Sequence, residues 1–263
     1  MTILAHDCGC SLTKTVLFDN GMITLKTMTE GLPKTDIKTD LTAVTGINAK
    51  KIKADITVPE FEAQAAGASF LTGLSEFLLV CVGTGTSFVN VNPIECKHLG
   101  GTGLGGGTVS GLSKLLLSPE ALSGNDYTAE AADKLAALGE PSNIDILMKD
   151  ILRKSEEPLL PRDITVSNFG KINPGATDAD LALGICKMVF ESILMMTVFA
   201  VKNSRTADIP AVFCGTASKS EVLIKIARRL EKLQGMKFIF PTDREYIGAI
   251  GAALTARQHR NQD

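Results

Sequence analysis

Residues 2–28 read "TILAHDCGCSLTKTVLFDNGMITLKTM", and the fold turns on what the small-residue centre of this stretch, "HDCGCSLTK" at 6–14, connects. Residues 2–6 predict a strand ending at Asp7, and residues 13–18 alternate as a second strand. "DNG" at 19–21 is a strong hairpin signal, and residues 22–28 form a third strand. The loop therefore joins strand to strand. A dinucleotide-binding glycine loop must instead feed a helix, and no G-x-x-x-x-G-K-[ST] phosphate loop occurs in the chain, so both architectures are excluded. Two readings of the loop itself remain: a metal or redox site on Cys8 and Cys10, or a turn that holds phosphate. The six cysteines (Cys8, Cys10, Cys81, Cys96, Cys186 and Cys214) lack the paired C-x-x-C spacing of zinc or iron–sulfur sites, which favours buried thiols in a reducing cytosol.

Residues 77–92, "FLLVCVGTGTSFVNVN", repeat the plan of strand, small-residue turn and alternating strand. Aligning the turns sets Gly9 and Ser11 opposite Gly85 and Ser87, with Asp7 opposite Gly83. Two such units suggest an internal duplication. The expected fold is α/β, with two actin-like (ribonuclease H-like) lobes and a nucleotide cleft between them, the arrangement of the actin-like ATPase and sugar kinase superfamily.

Composition fits this reading. Of 263 residues, 44% are hydrophobic and 21% charged, and the formal net charge of -2 gives no reason to expect nucleic acid or an anionic membrane as partner. No secretory signal is visible, so a cytoplasmic protein is expected. The apolar run at 184–201 is broken by Lys187 and Glu191, which leaves too short an uncharged part to cross a bilayer. Pro59 opens an expected helix through Leu74, a glycine-rich turn from 99 leads into a helix near Thr108, and a proline-punctuated loop spans 156–170. Helices follow near 180–201, 220–233 and 248–258, with a strand and small-residue turn at 209–218.

Phosphate oxygens need a dense array of donors, and backbone N–H groups approach them only where side chains are small. The turns at 8–11 and 83–87 meet that need, with hydroxyls from Ser11, Thr84, Thr86 and Ser87 and a charge from Lys14. Either turn alone reads equally well as a plain hairpin; the matching pair favours function. Gly103, Gly105, Gly106 and Gly107 precede a helix whose free N–H groups make an anion site, although a flexible linker has the same composition. Gly215 and Thr216 end a strand where a flat adenine ring could lie against backbone. Glu60 and Glu62 sit in a first helical turn, where the dipole favours a negative side chain whether or not it has a function. Either is a candidate proton acceptor if it faces the cleft. Asp7 either holds magnesium through water or caps its turn.

With these pieces in order, the chain resembles the type II pantothenate kinases. "DCGCSLTK" looks like that family's D-x-G-G-T-L-x-K phosphate loop, and "PEFEAQAAG" like its catalytic helix start. "VGTGTS" followed by "GGTGLGGG" is similar to its second phosphate loop and glycine loop, and "RDITVSNFG" to its D-L-T-x-x-N-F-G segment. The resemblance implies phosphorylation of the pantothenate 4'-hydroxyl by ATP with Mg2+, the first step of coenzyme A synthesis. It implies Glu60 as general base and ATP loops at Asp7, Cys8, Gly9, Cys10, Ser11, Leu12, Thr13 and Lys14, at Thr84, Gly85 and Thr86, at Gly106, Gly107, Thr108, Val109 and Ser110, and at Gly215 and Thr216. Substrate contacts are implied for Ser87, His98 and Gly100. The lobes expected are 1–58, completed by 247–263, and 59–246, with a homodimer through the helix near 180–201.

Two departures stand out. His98 occupies the place of a family arginine, which is a permanent forked donor as histidine is not, and Cys10 stands where the family has glycine. His98 keeps open a kinase of another small alcohol or sugar. Two other classes are an ATPase that activates a partner enzyme and a nucleotide-binding protein without chemistry.

Overall fold

The computed structural model describes residues 1–33, 37–122, 126–152, 161–203 and 209–260. The first five strands are β1 (Thr2–Cys8), β2 (Leu12–Asp19), β3 (Met22–Glu30), β4 (Leu41–Thr45) and β5 (Ile56–Thr57). Next come α1 (Glu60–Thr72), β6 (Phe77–Val82), β7 (Thr86–Val91), β8 (Cys96–Thr102), α2 (Gly106–Leu116) and α3 (Ala129–Ala136). The chain continues through β9 (Ile146–Leu147), α4 (Met148–Ile151), β10 (Thr165–Ser167) and α5 (Asp178–Lys202). It finishes with β11 (Ala211–Cys214), α6 (Glu221–Gln234), β12 (Phe238–Ile239) and α7 (Ile247–Arg260).

The duplication read from the turns is written in the sheets. One sheet has the order β3-β2-β1-β4-β5 and the other β12-β11-β6-β7-β8. In each, a three-strand antiparallel meander is extended by two parallel strands from its first strand. The first hairpin forms where expected, with Asn20 and Gly21 at φ 48° and 92°, the left-handed pair of a two-residue turn. The alignment of Asp7 with Gly83 does not survive. Cys8 pairs with Thr13 across residues 9–12, whereas Val82 pairs with Thr86 across residues 83–85, so strand pairing sets Asp7, partner of Lys14, against Cys81, partner of Ser87. The first turn is one residue longer, and alignment by turn residues cannot see that.

Other boundaries moved for local reasons. Pro59 is the N-cap of α1 rather than its first helical residue, and Gly73, at φ 71°, ends the helix before Leu74. The glycine-rich stretch from 99 begins as strand β8, and α2 starts at Gly106, two residues before Thr108. Within the loop expected at 156–170, residues 165–167 form β10 against β9, while 156–160 lie outside the described residues. A reciprocal pair opens α5: the Thr177 hydroxyl accepts from Asp180 N–H at 3.2 Å, and the Asp180 carboxylate accepts from Thr177 N–H at 2.8 Å.

Among the described residues, α5 is the one helix long and apolar enough to cross a membrane. Its apolar length is explained by burial: Ile185, Val189, Phe190, Ile193 and Leu194 are core residues, packed among α2, α3, α6 and β6.

The element that positions the cleft is α1. Ala63 joins the core of the first sheet, while Ala65 and Ala68 join the core of the second. Helix α7, which packs on β1, β2 and β4, crosses α1 almost backbone to backbone. A β-carbon on Gly251 would lie 1.6 Å from the Ala63 carbonyl oxygen, and one on Gly67 would lie 2.0 Å from the Ile247 carbonyl oxygen. No side chain fits there, so the crossing distance is fixed by the absence of one.

Gly251→Ala is expected to destabilise the protein by about 3 kcal/mol or more, since both neighbours at the crossing are backbone. Gly111→Ala, exposed in α2 with open space around its α-carbon, is expected to add about 0.5–1 kcal/mol. Urea midpoints of the two variants check the pair.

Candidate active site

The two glycine turns meet at the mouth of a cleft of ≈ 1790 Å³. Ser11 Oγ and Thr84 Oγ1 are 3.1 Å apart, a hydroxyl contact bridging turns 73 residues apart in sequence. Asn48 Nδ2 donates to the Gly9 carbonyl at 2.8 Å and braces the first turn. Lys14 is the cation over that turn: a β-carbon on Gly9 would lie 3.5 Å from its Nζ. Two other cleft lysines, Lys134 and Lys219, are paired with Glu130 at 2.7 Å and Glu245 at 3.0 Å. Among the described residues Lys14 has no such partner.

The glycine loop also holds the second turn in place. Gly106 N–H donates to Gly83 O at 2.8 Å, and Gly107 N–H donates to Thr84 O at 2.9 Å. The start of α2 is thus docked onto the second turn, and two of its orphan N–H groups are satisfied by protein. The approach requires glycine: a β-carbon on Gly105 would be 2.6 Å from Thr84 O, and one on Gly107 would be 2.7 Å from Thr84 Cγ2. The loop rigidifies the turn that faces the cleft.

Asp7 is buried between two glycines: β-carbons on Gly46 and Gly248 would lie 2.8 Å from its Oδ1 and 2.5 Å from its Oδ2. Burial pushes its carboxyl up to about 6, opposed by the Lys14 charge and reinforced by Glu60. Among the described residues no hydrogen-bond donor reaches this carboxylate, and no group of three metal-ligating side chains is present. An undersatisfied carboxylate at the cleft fits a cation carried by phosphates and water better than an all-protein cage.

The two candidate acids of α1 part company. Glu60 lines the cleft, and its Oε1 accepts from Gln64 Nε2 at 3.1 Å. Glu62 is exposed, lies outside the cleft lining, and its charge acts on the Cys96 thiol.

Of the remaining residues singled out by sequence, Gly9, Cys10, Ser11, Leu12, Thr84, Gly85, Thr86, Ser87, Gly106, Gly107, Ser110, Gly215 and Thr216 line the cleft. Others do not. Cys8 is buried with Val44 and Ala49, and Val109 is a core residue of the second lobe. The Thr13 hydroxyl donates to Gly31 O, and the Thr108 hydroxyl turns back to Gly103 O at 2.8 Å. Thr86, although it lines the cleft, spends its hydroxyl on Leu104 O at 2.8 Å. Cys8 and Val109 point into cores, while the threonine hydroxyls are taken up by backbone carbonyls. Gly100 and His98 lie on β8 away from the cleft lining; the His98 ring stacks on Phe61, centroids 4.4 Å apart at 9°.

Sequence reasoning missed the wall formed by α3 and the start of α6. Asp133 accepts from the Ser220 hydroxyl, from Glu221 N–H at 2.8 Å and from Val222 N–H at 3.3 Å, so a side chain from another helix caps α6. Such long-range capping leaves no local signature. Gln64 did leave one, since it stands four residues after Glu60 in "PEFEAQAAG".

The Fumble family profile matches residues 61–255. A type II pantothenate kinase from Oceanobacillus iheyensis is 29% identical, over 97% of this chain and all of that protein. One from Staphylococcus haemolyticus is 28% identical, over 79% and 78%. Among solved structures, the activator of 2-hydroxyisocaproyl-CoA dehydratase from Clostridium difficile with bound ADPNP matches 100% of this chain and 98% of its own, at TM-score 0.65 and 14% identity. A ROK family glucokinase from Streptomyces griseus in complex with glucose and AMPPNP matches 98% and 100%, at TM-score 0.62 and 10% identity. The fold is the two-lobed actin-like one; at these identities the structural matches speak to fold alone.

Asp7 gives a pH-dependent signature. Its folded carboxyl, at about 6, is above the unfolded value of 3.8, so ionising it costs stability fully above pH 6 and not at all below 3.8. Without ligand, Asp7→Asn is expected to gain up to about 3 kcal/mol over wild type at pH 7.5, with the gain fading as pH falls to about 4. Denaturant titrations at the two pH values check this.

Proposed function

The chain belongs to the Fumble family, and on that premise we propose that it phosphorylates the 4'-hydroxyl of pantothenate with ATP, the first step of coenzyme A biosynthesis. The observation that carries the mechanism is the convergence of Glu60 and both glycine turns on one cleft. Phosphoryl transfer leaves little covalent work to the protein, so catalysis rests on positioning and charge. The triphosphate is assigned to the space between the turns around Ser11 and Thr84, with Lys14 supplying fixed positive charge. Gly215 and Thr216 are assigned to the adenine. Glu60 accepts the proton of the attacking hydroxyl, and Ser87 with neighbouring β8 backbone holds the acceptor.

Magnesium, when bound to the phosphates, would offset their charge, and Asp7 reached through water is the residue that would hold it. Its buried, undersatisfied carboxylate supports that role.

The lobe division proposed is 1–58 with 247–263 against 59–246. The packing of α7 on β1, β2 and β4 supports it. A homodimer through α5 is proposed as well. Met196 and Phe199 support it, since they stay 39% and 58% exposed on a helix whose other large apolar residues are buried or half-buried. The six cysteines are free, which suits a cytoplasmic enzyme.

His98 bears on the acceptor. Where the family has a guanidinium, its ring stacks on Phe61, next to Glu60 and outside the cleft lining, so any effect on the acceptor is indirect. Pantothenate, pantetheine and a panel of sugars tested as acceptors resolve its effect on specificity.

Glu60→Gln is expected to bind ATP as wild type does while kcat with pantothenate falls about 10²–10⁴-fold. Glu62→Gln is expected to keep wild-type turnover, and equal loss in both variants would remove Glu60 from its role. Phe199→Glu is expected to yield a monomer in sedimentation at concentrations where wild type is dimeric.

A further inference from the structure

Behind Glu60 runs a chain of contacts that phosphoryl transfer alone does not require. Gln64, one helical turn further along α1, donates from Nε2 to Glu60 Oε1 at 3.1 Å and accepts at its own Oε1 from the Cys81 thiol at 3.0 Å. Cys81 Sγ lies 2.9 Å from Cys214 Sγ, on the neighbouring parallel strand β11. Cys214 Sγ in turn reaches the Val80 carbonyl at 3.6 Å. All four side chains line the cleft, yet Gln64 is only 8% exposed and Cys214 not at all.

The ordinary account of such a pair is an i,i+4 contact on a helix surface, worth a few tenths of a kcal/mol. Burial and the second partner set this one apart. A carboxylate can only accept, so the amide nitrogen must face Glu60; the amide oxygen then needs a donor, and Cys81 supplies it from a strand of the second sheet. Turning the amide over would set oxygen against carboxylate and nitrogen against a thiol hydrogen. The amide therefore has one orientation. Burial first and the Cys81 contact second hold the Cys214 thiol well above the ordinary thiol range, so this neighbour of the donor stays protonated.

We infer that Gln64 and Cys81 are positioning residues for the base: the thiol fixes the amide, and the amide fixes the Glu60 carboxylate with Oε2 free for the acceptor hydroxyl. Neither residue needs to touch substrate. The inference rests on Glu60 acting as the base. It adds that the orientation of that base is set from the floor of the second sheet and not by α1 alone.

The test uses the full-length protein and steady-state phosphorylation of pantothenate. Gln64→Leu is expected to lower kcat about 10–100-fold with the KM for ATP within about twofold of wild type. Cys81→Ala, which removes the donor, is expected to lower kcat about tenfold, and Cys81→Ser, which restores one, to recover most of that loss. The serine rescue is the decisive reading, because a merely structural role for Cys81 would favour alanine over a buried hydroxyl. Equal kcat for the alanine and serine variants, or a KM for ATP that rises in step with the fall in kcat, would overturn the inference. If Gln64→Leu does not fold, the Cys81 pair decides alone. Full activity in Glu60→Gln would instead sink the assignment of the base itself. An inactive Glu60→Gln beside active Gln64 and Cys81 variants would sink only the positioning.

Discussion

The contact on which the molecule depends is the crossing of α1 and α7. Gly251 meets the Ala63 carbonyl and Gly67 meets the Ile247 carbonyl with no room for a β-carbon at either point. Because α7 lies on the first sheet and α1 lies between the two cores, this crossing sets one lobe against the other. It also sets the chemistry. The same helix presses Gly248 against the Asp7 carboxylate, and the N-terminal turn of α1 delivers Glu60 to the same cleft. Through this close helix crossing two acids from distant parts of the chain come to share one cavity and sense each other's charge.

The glycine-lined half of the cleft follows a second rule, that backbone must approach backbone. The loop before α2 is glycine-rich so that its N–H groups can reach Gly83 and Thr84 and hold the second turn rigid. That rigid turn then meets the first through Ser11 and Thr84. Cys10, exposed at the cleft, stands outside the tight contacts, which explains how the chain accommodates a side chain where the family has none. Among the described residues Lys14 has no ion-pair partner over the turn, and the buried charge of Asp7 is a standing cost to the free protein.

Several readings were legible because they depend on local rules. Alternating strands, an Asn-Gly turn and two matching glycine turns predicted duplicated hairpins, and the two sheets carry the same strand order. Helix α1 and its acids were legible from a proline and the residues that follow it. Helix pattern alone left Glu60 and Glu62 open, because neighbours in a helical first turn differ only in the direction they face; the motif resemblance implied Glu60, which is the one that lines the cleft. Likewise Val109 and Cys8 sit in the right motif but point into cores, and His98 stacks on Phe61 rather than entering the cleft.

The repeated hairpins, the start of α1 and the family were readable along the chain, since periodicity, turn chemistry and motif order are local properties. Only the tertiary structure decided which side chains share the cleft. Ser11 and Thr84, Gln64 and Cys81, Asp133 and the start of α6 are contacts across 17 to 88 positions. Each exists because a helix crossing or a strand pairing brings its partners within hydrogen-bond reach, and no local pattern encodes that distance.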